Sequence, residues 1–388
     1  MIQPAKRMRH FTTSIHTDFS IEKQRYQDRT SKEILDFSLG SPDIAPDPSI
    51  VETMQEAVKD VKNYRYAVRE LEALLQEIQT WYQKRYQVHL EHDQMICLQG
   101  SQEALVNLPL AFCDPGDIVL VPDPYYPIFA QAPALAQAEV QFMPMKKENQ
   151  YLIDLDEIDP EVAKKTKMMI ISYPNNPTGA TAPDWFYKRL IEFAKQYDIL
   201  VVHDNAYSEL VFDEKEGKSF LSFPGAMEVG IELNSFSKTY GMAGCRLGVL
   251  VGNEQALKVY RQLKANLDYG IFLPVQYAGI QALSAGGKTI ESTRHQYQTR
   301  RDVLVQGFQE AGWQIEKNAA TMFLWAQIPD AYQDANDFAK KLVLETGILV
   351  TPGTVFGTQG QRFVRIALVQ PESVIDEAIE RLKQCDLF

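Results

Sequence analysis

Between about residues 95 and 251, short apolar runs rich in β-branched residues alternate with stretches of helical periodicity. The runs Met95–Gln99, Ile118–Pro122, Glu139–Met143, Met168–Ser172, Ile199–His203, Ile231–Ser235 and Leu247–Val251 predict strands. Several are nearly continuous in apolar residues, as strands buried on both faces require. Gln102–Phe112, Pro183–Tyr197 and Glu254–Leu267 carry the helical pattern between and after them. Such alternation predicts an α/β fold, a mostly parallel sheet covered by helices.

After Pro274 the pattern changes. Val275–Ser284 and Thr289–Ala311 read as helices interrupted at Ala285-Gly286-Gly287. Phe323–Ile328, Ile348–Thr351 and Phe363–Val369 read as strands, with helices near Ala335–Leu344 and Glu372–Cys385. This mixture predicts a smaller α+β domain, on which Met1–Leu39, without strand repeats of its own, is expected to pack. The expected division is 44–284 for the large domain, and 1–43 with 285–388 for the small one. No internal repeat or low-complexity linker separates them.

The chain is long enough, at 388 residues, for more than one lobe. A net charge of -12 argues against nucleic-acid or acidic-membrane partners. No apolar run has the length of a membrane span, and no secretory segment follows the basic N-terminus. Cys97, Cys113, Cys245 and Cys385 are scattered, which predicts reduced thiols and a cytoplasmic location. The histidines have no ligand spacing, so no metal site is expected.

The most informative string is Ser235-Phe-Ser237-Lys238-Thr-Tyr-Gly241-Met-Ala-Gly244-Cys-Arg246-Leu-Gly248. It gathers an amine, hydroxyls, a guanidinium and glycines. A lysine that joins an aldehyde beside a phosphate needs this company. Other candidates fall where strands end, the place of ligand sites in open α/β sheets. At Gly100-Ser101-Gln102 the backbone can approach a ligand and a helix start can hold a phosphate; Ser101 could equally be an ordinary helix cap. Tyr126, before Pro127, could stack on a planar ring or merely pack. Asp204 ends an apolar strand, where an unpaired acid is costly, although a helix cap would also place one there. Arg365 lies in an apolar strand; its fork suits a carboxylate ligand or a structural ion pair.

Together these strings resemble the class I/II aminotransferases of fold-type I, in family order from roughly Ile34 to Leu382. The lysine string matches throughout. So do Gly100-Ser101-Gln102-Glu103-Ala104, the Pro-x-Tyr-Pro segment ending at Pro127, Asn176-Pro177-Thr178-Gly179, Asp204-Asn-Ala-Tyr207, Arg365, and Gly40-Ser41-Pro42-Asp43.

The resemblance implies a three-layer α/β/α large domain and pyridoxal 5'-phosphate as cofactor. It implies that Lys238 forms the Schiff base and is catalytic, together with Asp204 at the pyridine nitrogen and Tyr207 at the phenolic oxygen. Gly100, Ser101, Gln102, Ser235, Ser237 and Arg246 would hold the phosphate. Tyr126 would stack on the ring and Asn176 would bind the phenolic oxygen. Gly40, Asn176 and Arg365 would take the substrate, with Arg362 a weaker match for the last. Tyr66 would reach the phosphate of a neighbouring subunit in a homodimer, with Tyr64 as the alternative. One departure stands beside Tyr66: Glu70 occupies a position the family gives to glycine.

The implied reaction moves an amino group between an L-amino acid and a 2-oxo acid. A carbon–sulfur β-lyase would use the same machinery, and a ligand-sensing regulator can share the fold. Asn266–Gln276 and Ser41-Pro42-Asp43 look most like the diaminopimelate/aspartate-type branch. Tyr269 and Phe272 could shape the side-chain pocket or pack between subunits.

Overall fold

A computed structural model describes residues 2–11 and 19–388. Its strands are β1 (Leu35–Asp36), β2 (Met95–Leu98), β3 (Ile118–Asp123), β4 (Glu139–Pro144), β5 (Thr166–Ser172) and β6 (Leu200–Asp204). They continue with β7 (Gly230–Ser235), β8 (Gly248–Gly252), β9 (Phe323–Gln327), β10 (Ile348–Leu349), β11 (Thr351–Pro352) and β12 (Phe363–Ala367).

Strands β2 to β8 form one seven-stranded sheet in the order β2-β8-β7-β6-β5-β3-β4. Only β8 runs antiparallel to its neighbours; the pairs among β3 to β7 are parallel. The carboxyl ends of β2, β3, β5, β6 and β7 therefore share one edge, and the expected mostly parallel sheet is observed.

The apolar runs are explained by burial on two faces. In β5, Met169 and Ile171 enter one core with Leu74, Ile78 and Leu190. Their neighbours Met168 and Ile170 enter the opposite core with Leu105, Leu108 and Leu257, as the strand's period of two dictates. Helices Glu72–Tyr86 and Asp184–Tyr197 cover the first face, and Ser101–Phe112 and Glu254–Lys264 the second. Strand β4 lies at the sheet's edge, which is why its Glu139, Gln141 and Phe142 stay exposed.

A third core gathers the C-terminal residues with Phe19, Leu35 and Phe37. Here β11, β12 and β9 form an antiparallel sheet, and β1 pairs with β10 in parallel. The sequence run Ile348–Thr351 is thus two strands, because Ile348 and Leu349 face β1 while Thr351 and Pro352 turn to β12.

One expectation is corrected. The helix over 273–310 is continuous, 38 residues long, through Gly286-Gly287. Two interior glycines cost roughly 1 kcal/mol each, a penalty that packing overrides. A Cβ at position 286 would stand 3.3 Å from the Tyr240 hydroxyl, so the small residue lets the helix approach.

Candidate active site

Five strand ends converge on a cavity of about 230 Å³. After β2, Gly100 adopts φ +79°, and a Cβ there would stand 2.3 Å from Arg246 Nη2. The helix starting at Ser101 has no side-chain cap, since Gly100 occupies the cap position. The reading of Ser101 as an ordinary cap is therefore not what the structure shows. Ser101 and Gln102 instead line the cavity, beside free N–H groups that favour an anion. A Cβ at Gly248 would come 2.8 Å from Ser101 N, so that strand too must be bare.

The other wall of this end comes from β7. Ser235 caps the short helix Phe236–Thr239 by accepting from Ser237 N at 3.2 Å. Arg246, in a left-handed conformation at φ 56°, donates from Nη1 to Ala243 O at 3.0 Å and from Nη2 to Gln99 O at 3.5 Å. It has no carboxylate partner within ion-pair distance among the described residues.

Lys238 points across the cavity and donates to Gly40 O at 3.0 Å. Burial first, then repulsion from Arg365 and Arg246, brings its pKa down to about 8, against the attraction of Asp204. Roughly a tenth of such amines are neutral at pH 7. Asp204, at the end of β6, accepts from Ala206 N at 3.3 Å. Burial raises its pKa to about 6, with the Ala206 N–H, His203 and Lys238 acting in the opposite sense. Tyr207 is buried, its ring centroid 6.0 Å from that of Phe323. Tyr126 donates to Gln102 Oε1 at 3.1 Å, which orients its ring at the cavity wall.

Of the two alternatives for Arg365, a structural ion pair is not observed among the described residues. The residue is 5% exposed, yet no carboxylate lies within ion-pair distance among the described residues. Its Nη1 donates to Asn176 Oδ1 at 3.2 Å and its Nη2 to Ser38 O at 3.1 Å, while Nε has no partner. Burial lowers its pKa to about 10. Phe323 and Phe356 stack on it, with ring centroids 4.1 and 4.7 Å from Cζ. Arg362, the weaker candidate, is paired instead with Asp330 at 3.0 Å. Gly40 is packed so closely that a Cβ there would lie 3.0 Å from the Phe323 ring and 3.7 Å from Arg365 Nη2.

The cavity thus brings together Gly40, Ser101, Gln102, Tyr126, Asn176, Asp204, Tyr207, Ser235, Ser237, Lys238, Arg246 and Arg365. Gly100 adjoins it through Arg246. Three cations face one carboxylate, a local excess of two positive charges in a chain of net charge -12. Anions are the fitting occupants. A phosphate dianion and a carboxylate would neutralise the guanidinium groups, and a protonated ring nitrogen would pair with Asp204. The residues therefore fit pyridoxal phosphate and an amino acid.

Tyr66 is not brought into this cavity. It is 78% exposed and packs on Tyr269, with ring centroids 4.9 Å apart. Tyr64 donates to Val58 O and meets Phe272. Glu70 ties this loop to β2 by accepting from Cys97 N at 3.1 Å, with Arg261 3.7 Å away. Two aromatic walls escaped sequence reasoning, Phe323 and Phe356. Cross-strand pairing of Arg365 with Trp325 puts Phe323, two residues along, on Arg365's face; only the register reveals this.

Comparison with known proteins agrees with this geometry. The family model described as aminotransferase class I and II matches residues 32–382. The LL-diaminopimelate aminotransferase of Halothermothrix orenii is 42% identical over 92% of this chain and 92% of its own. That of Moorella thermoacetica is 40% identical over 99% and 98%. Among solved structures, substrate-bound BacF from Bacillus subtilis superposes with a TM-score of 0.93, at 34% identity, covering 100% of this chain and 98% of that one.

Proposed function

The chain belongs to the class I and II aminotransferase family, and from that premise we propose how its residues divide the work. It is a pyridoxal-phosphate-dependent transaminase, acting on amino and 2-oxo acids. The carbon–sulfur lyase alternative finds no support among relatives named for transamination.

When bound, the cofactor supplies an aldehyde that condenses with amines and a ring that accepts the electrons left when Cα loses a proton. Lys238 would hold it through its amine and would hold and move the Cα proton of the donor. Its depressed pKa supports this, because a neutral amine is the form that accepts a proton. Asp204 would keep the ring nitrogen protonated. The Gly100 turn, Ser101, Gln102, Ser235, Ser237 and Arg246 would hold the phosphate. Tyr126 would pack on the ring. Asn176 Oδ1 accepts from Arg365 Nη1, which would leave its Nδ2 to donate to the phenolic oxygen beside Tyr207. Arg365 binds the substrate carboxylate, with Gly40 allowing close approach. The observation that carries this reading is a buried guanidinium with no ion-pair partner among the described residues, in the same cavity as Lys238 and Asp204.

On the same reading the donor is LL-diaminopimelate, the substrate in the names of relatives that match end to end. Residues 44–284 form the cofactor-binding domain, and 1–43 with 285–388 the smaller one. The protein works in the cytoplasm as a homodimer. Val61, Tyr64, Tyr66, Val68, Leu267, Tyr269 and Phe272 form an exposed apolar surface, of a kind that marks an interface. A second copy would cover it and receive Tyr66 at its phosphate.

The test is a panel of amino donors with 2-oxoglutarate or pyruvate, followed through the cofactor absorbance. LL-diaminopimelate should give the highest kcat/KM. Preference for a donor with a plain apolar side chain would refute the substrate assignment.

A further inference from the structure

We propose that Asp123 is a positioning residue for the substrate arginine, acting through the turn that carries Phe356. The proposal rests on the reading of Arg365 as the carboxylate site.

Asp123 closes β3 and is only 2% exposed. It has no cationic partner within ion-pair distance among the described residues. Its side chain is devoted to one target, the turn over 357–360. Oδ2 accepts from Thr358 Oγ1 at 2.6 Å and from Thr358 N at 3.2 Å, and Oδ1 accepts from Gln359 N at 3.3 Å. A buried carboxylate needs such donors to remain charged without great cost.

The turn is shaped to meet it. Gly357 has φ +117°, and a Cβ there would stand 2.1 Å from Asp123 Oδ1. A Cβ at Gly360 would fall 1.9 Å from Gly353 O. Neither position tolerates a side chain while the turn lies flush on the carboxylate. A backbone bond, Tyr125 N to Phe356 O at 2.8 Å, extends the seam.

Phe356 leads from this seam to Arg365. Its ring is buried, with its centroid 4.7 Å from Arg365 Cζ, next to the Phe323 ring at 4.1 Å. Two rings pack against a group whose value to a carboxylate lies in its planar fork. If the turn lifted, Phe356 would withdraw and the fork would lose one wall. Asp123 also precedes Tyr126 by three residues, so one carboxylate sets the spacing between the cofactor-facing loop and the substrate arginine. Misplacement of such a group lowers binding without removing any ligand contact.

The test compares Asp123→Asn, Thr358→Val and their double mutant with wild type and Arg365→Ala, all as cofactor-loaded enzyme. Donor KM, kcat, cofactor Kd by absorbance titration and Tm are measured. Asn offers an acceptor on one side only, so Asp123→Asn should raise donor KM by about tenfold. Cofactor Kd and kcat should stay within about threefold. Thr358→Val should move KM the same way by less, and the double mutant should be no worse than Asp123→Asn, because both changes break one contact. An unchanged donor KM in Asp123→Asn, beside a raised one in Arg365→Ala, overturns the inference and leaves the arginine reading standing. Cofactor Kd rising in step with KM overturns it too, since Asp123 would then serve the Tyr126 loop. If Arg365→Ala itself leaves donor KM unchanged, the carboxylate reading falls and the inference falls with it. Should Asp123→Asn fail to fold, Thr358→Val decides by the same criteria.

Discussion

Removing the side chain at Arg365 separates binding from stability, because the two respond to different terms. In Arg365→Ala the donor loses a bidentate, charge-assisted contact worth about 1.5–3 kcal/mol. That corresponds to about a 10- to 150-fold weaker donor. The fold has little to lose. Burial brings the guanidinium's pKa well below its ordinary range, down to about 10, a cost of about 3 kcal/mol for keeping the charge. The opposing terms are the void left beside Phe323 and Phe356, which at large-to-small core values costs about 2–4 kcal/mol, and the bonds lost to Asn176 Oδ1 and Ser38 O, about 1 kcal/mol each. The net loss is small for a chain of this size, so Tm should fall by no more than about 4 °C. The assay is a titration of the cofactor-loaded protein with donor, read in the cofactor spectrum, beside thermal unfolding by circular dichroism. Cofactor Kd should hardly change. Arg365→Lys should restore part of the affinity, as a point charge without the fork. Donor affinity within twofold of wild type, with Tm lowered by about 5 °C or more, would show that Arg365 is a structural cation and refute the reasoning.

Other outcomes follow from the same site. Asp204→Asn should keep the fold and lose most turnover, since an uncharged partner leaves the ring nitrogen less protonated; near-normal half-reaction rates in the loaded mutant would contradict this. In the apo-protein the folded state raises the pKa of Asp204 from 3.8 to about 6. Its protonated form is therefore favoured by folding, and that contribution is present below pH 4 and lost as pH rises through 6. Unfolding titrations should show Asp204→Asn gaining on wild type across that window, by about 3 kcal/mol at pH 7; a pH-independent difference would be inconsistent. Tyr66→Phe should weaken cofactor binding several-fold without altering Arg365-dependent donor binding. Unchanged cofactor affinity, or a protein that sediments as a monomer, would remove the shared-site reading.

The sheet was readable from the sequence because burial on both faces leaves continuous apolar runs. Those runs located seven strands to within a residue or two. Asp204 and Arg365 were readable for a related reason, since they put charge where the pattern is otherwise apolar, and Lys238 was readable from the hydroxyls, glycines and arginine around it. What escaped depends on contacts distant in sequence. The Gly286-Gly287 break is absent because Tyr240 packs there, and no local rule contains that. Phe323 and Phe356 carry no local signal of their role, because strand register and a turn bring them against one guanidinium. Glu70, which departs from the resemblance, proved to hold its loop through Cys97 N, a compensation visible only in three dimensions.

The central claim is that Lys238 is the amine that carries the cofactor, and chemical trapping tests it most directly. The protein is loaded with pyridoxal phosphate, reduced with borohydride, digested and mapped by mass spectrometry. One labelled peptide is expected, bearing the reduced cofactor on Lys238 within Ser235–Arg246, with no label in Lys238→Ala. Label on another lysine, or full labelling of Lys238→Ala, would contradict it.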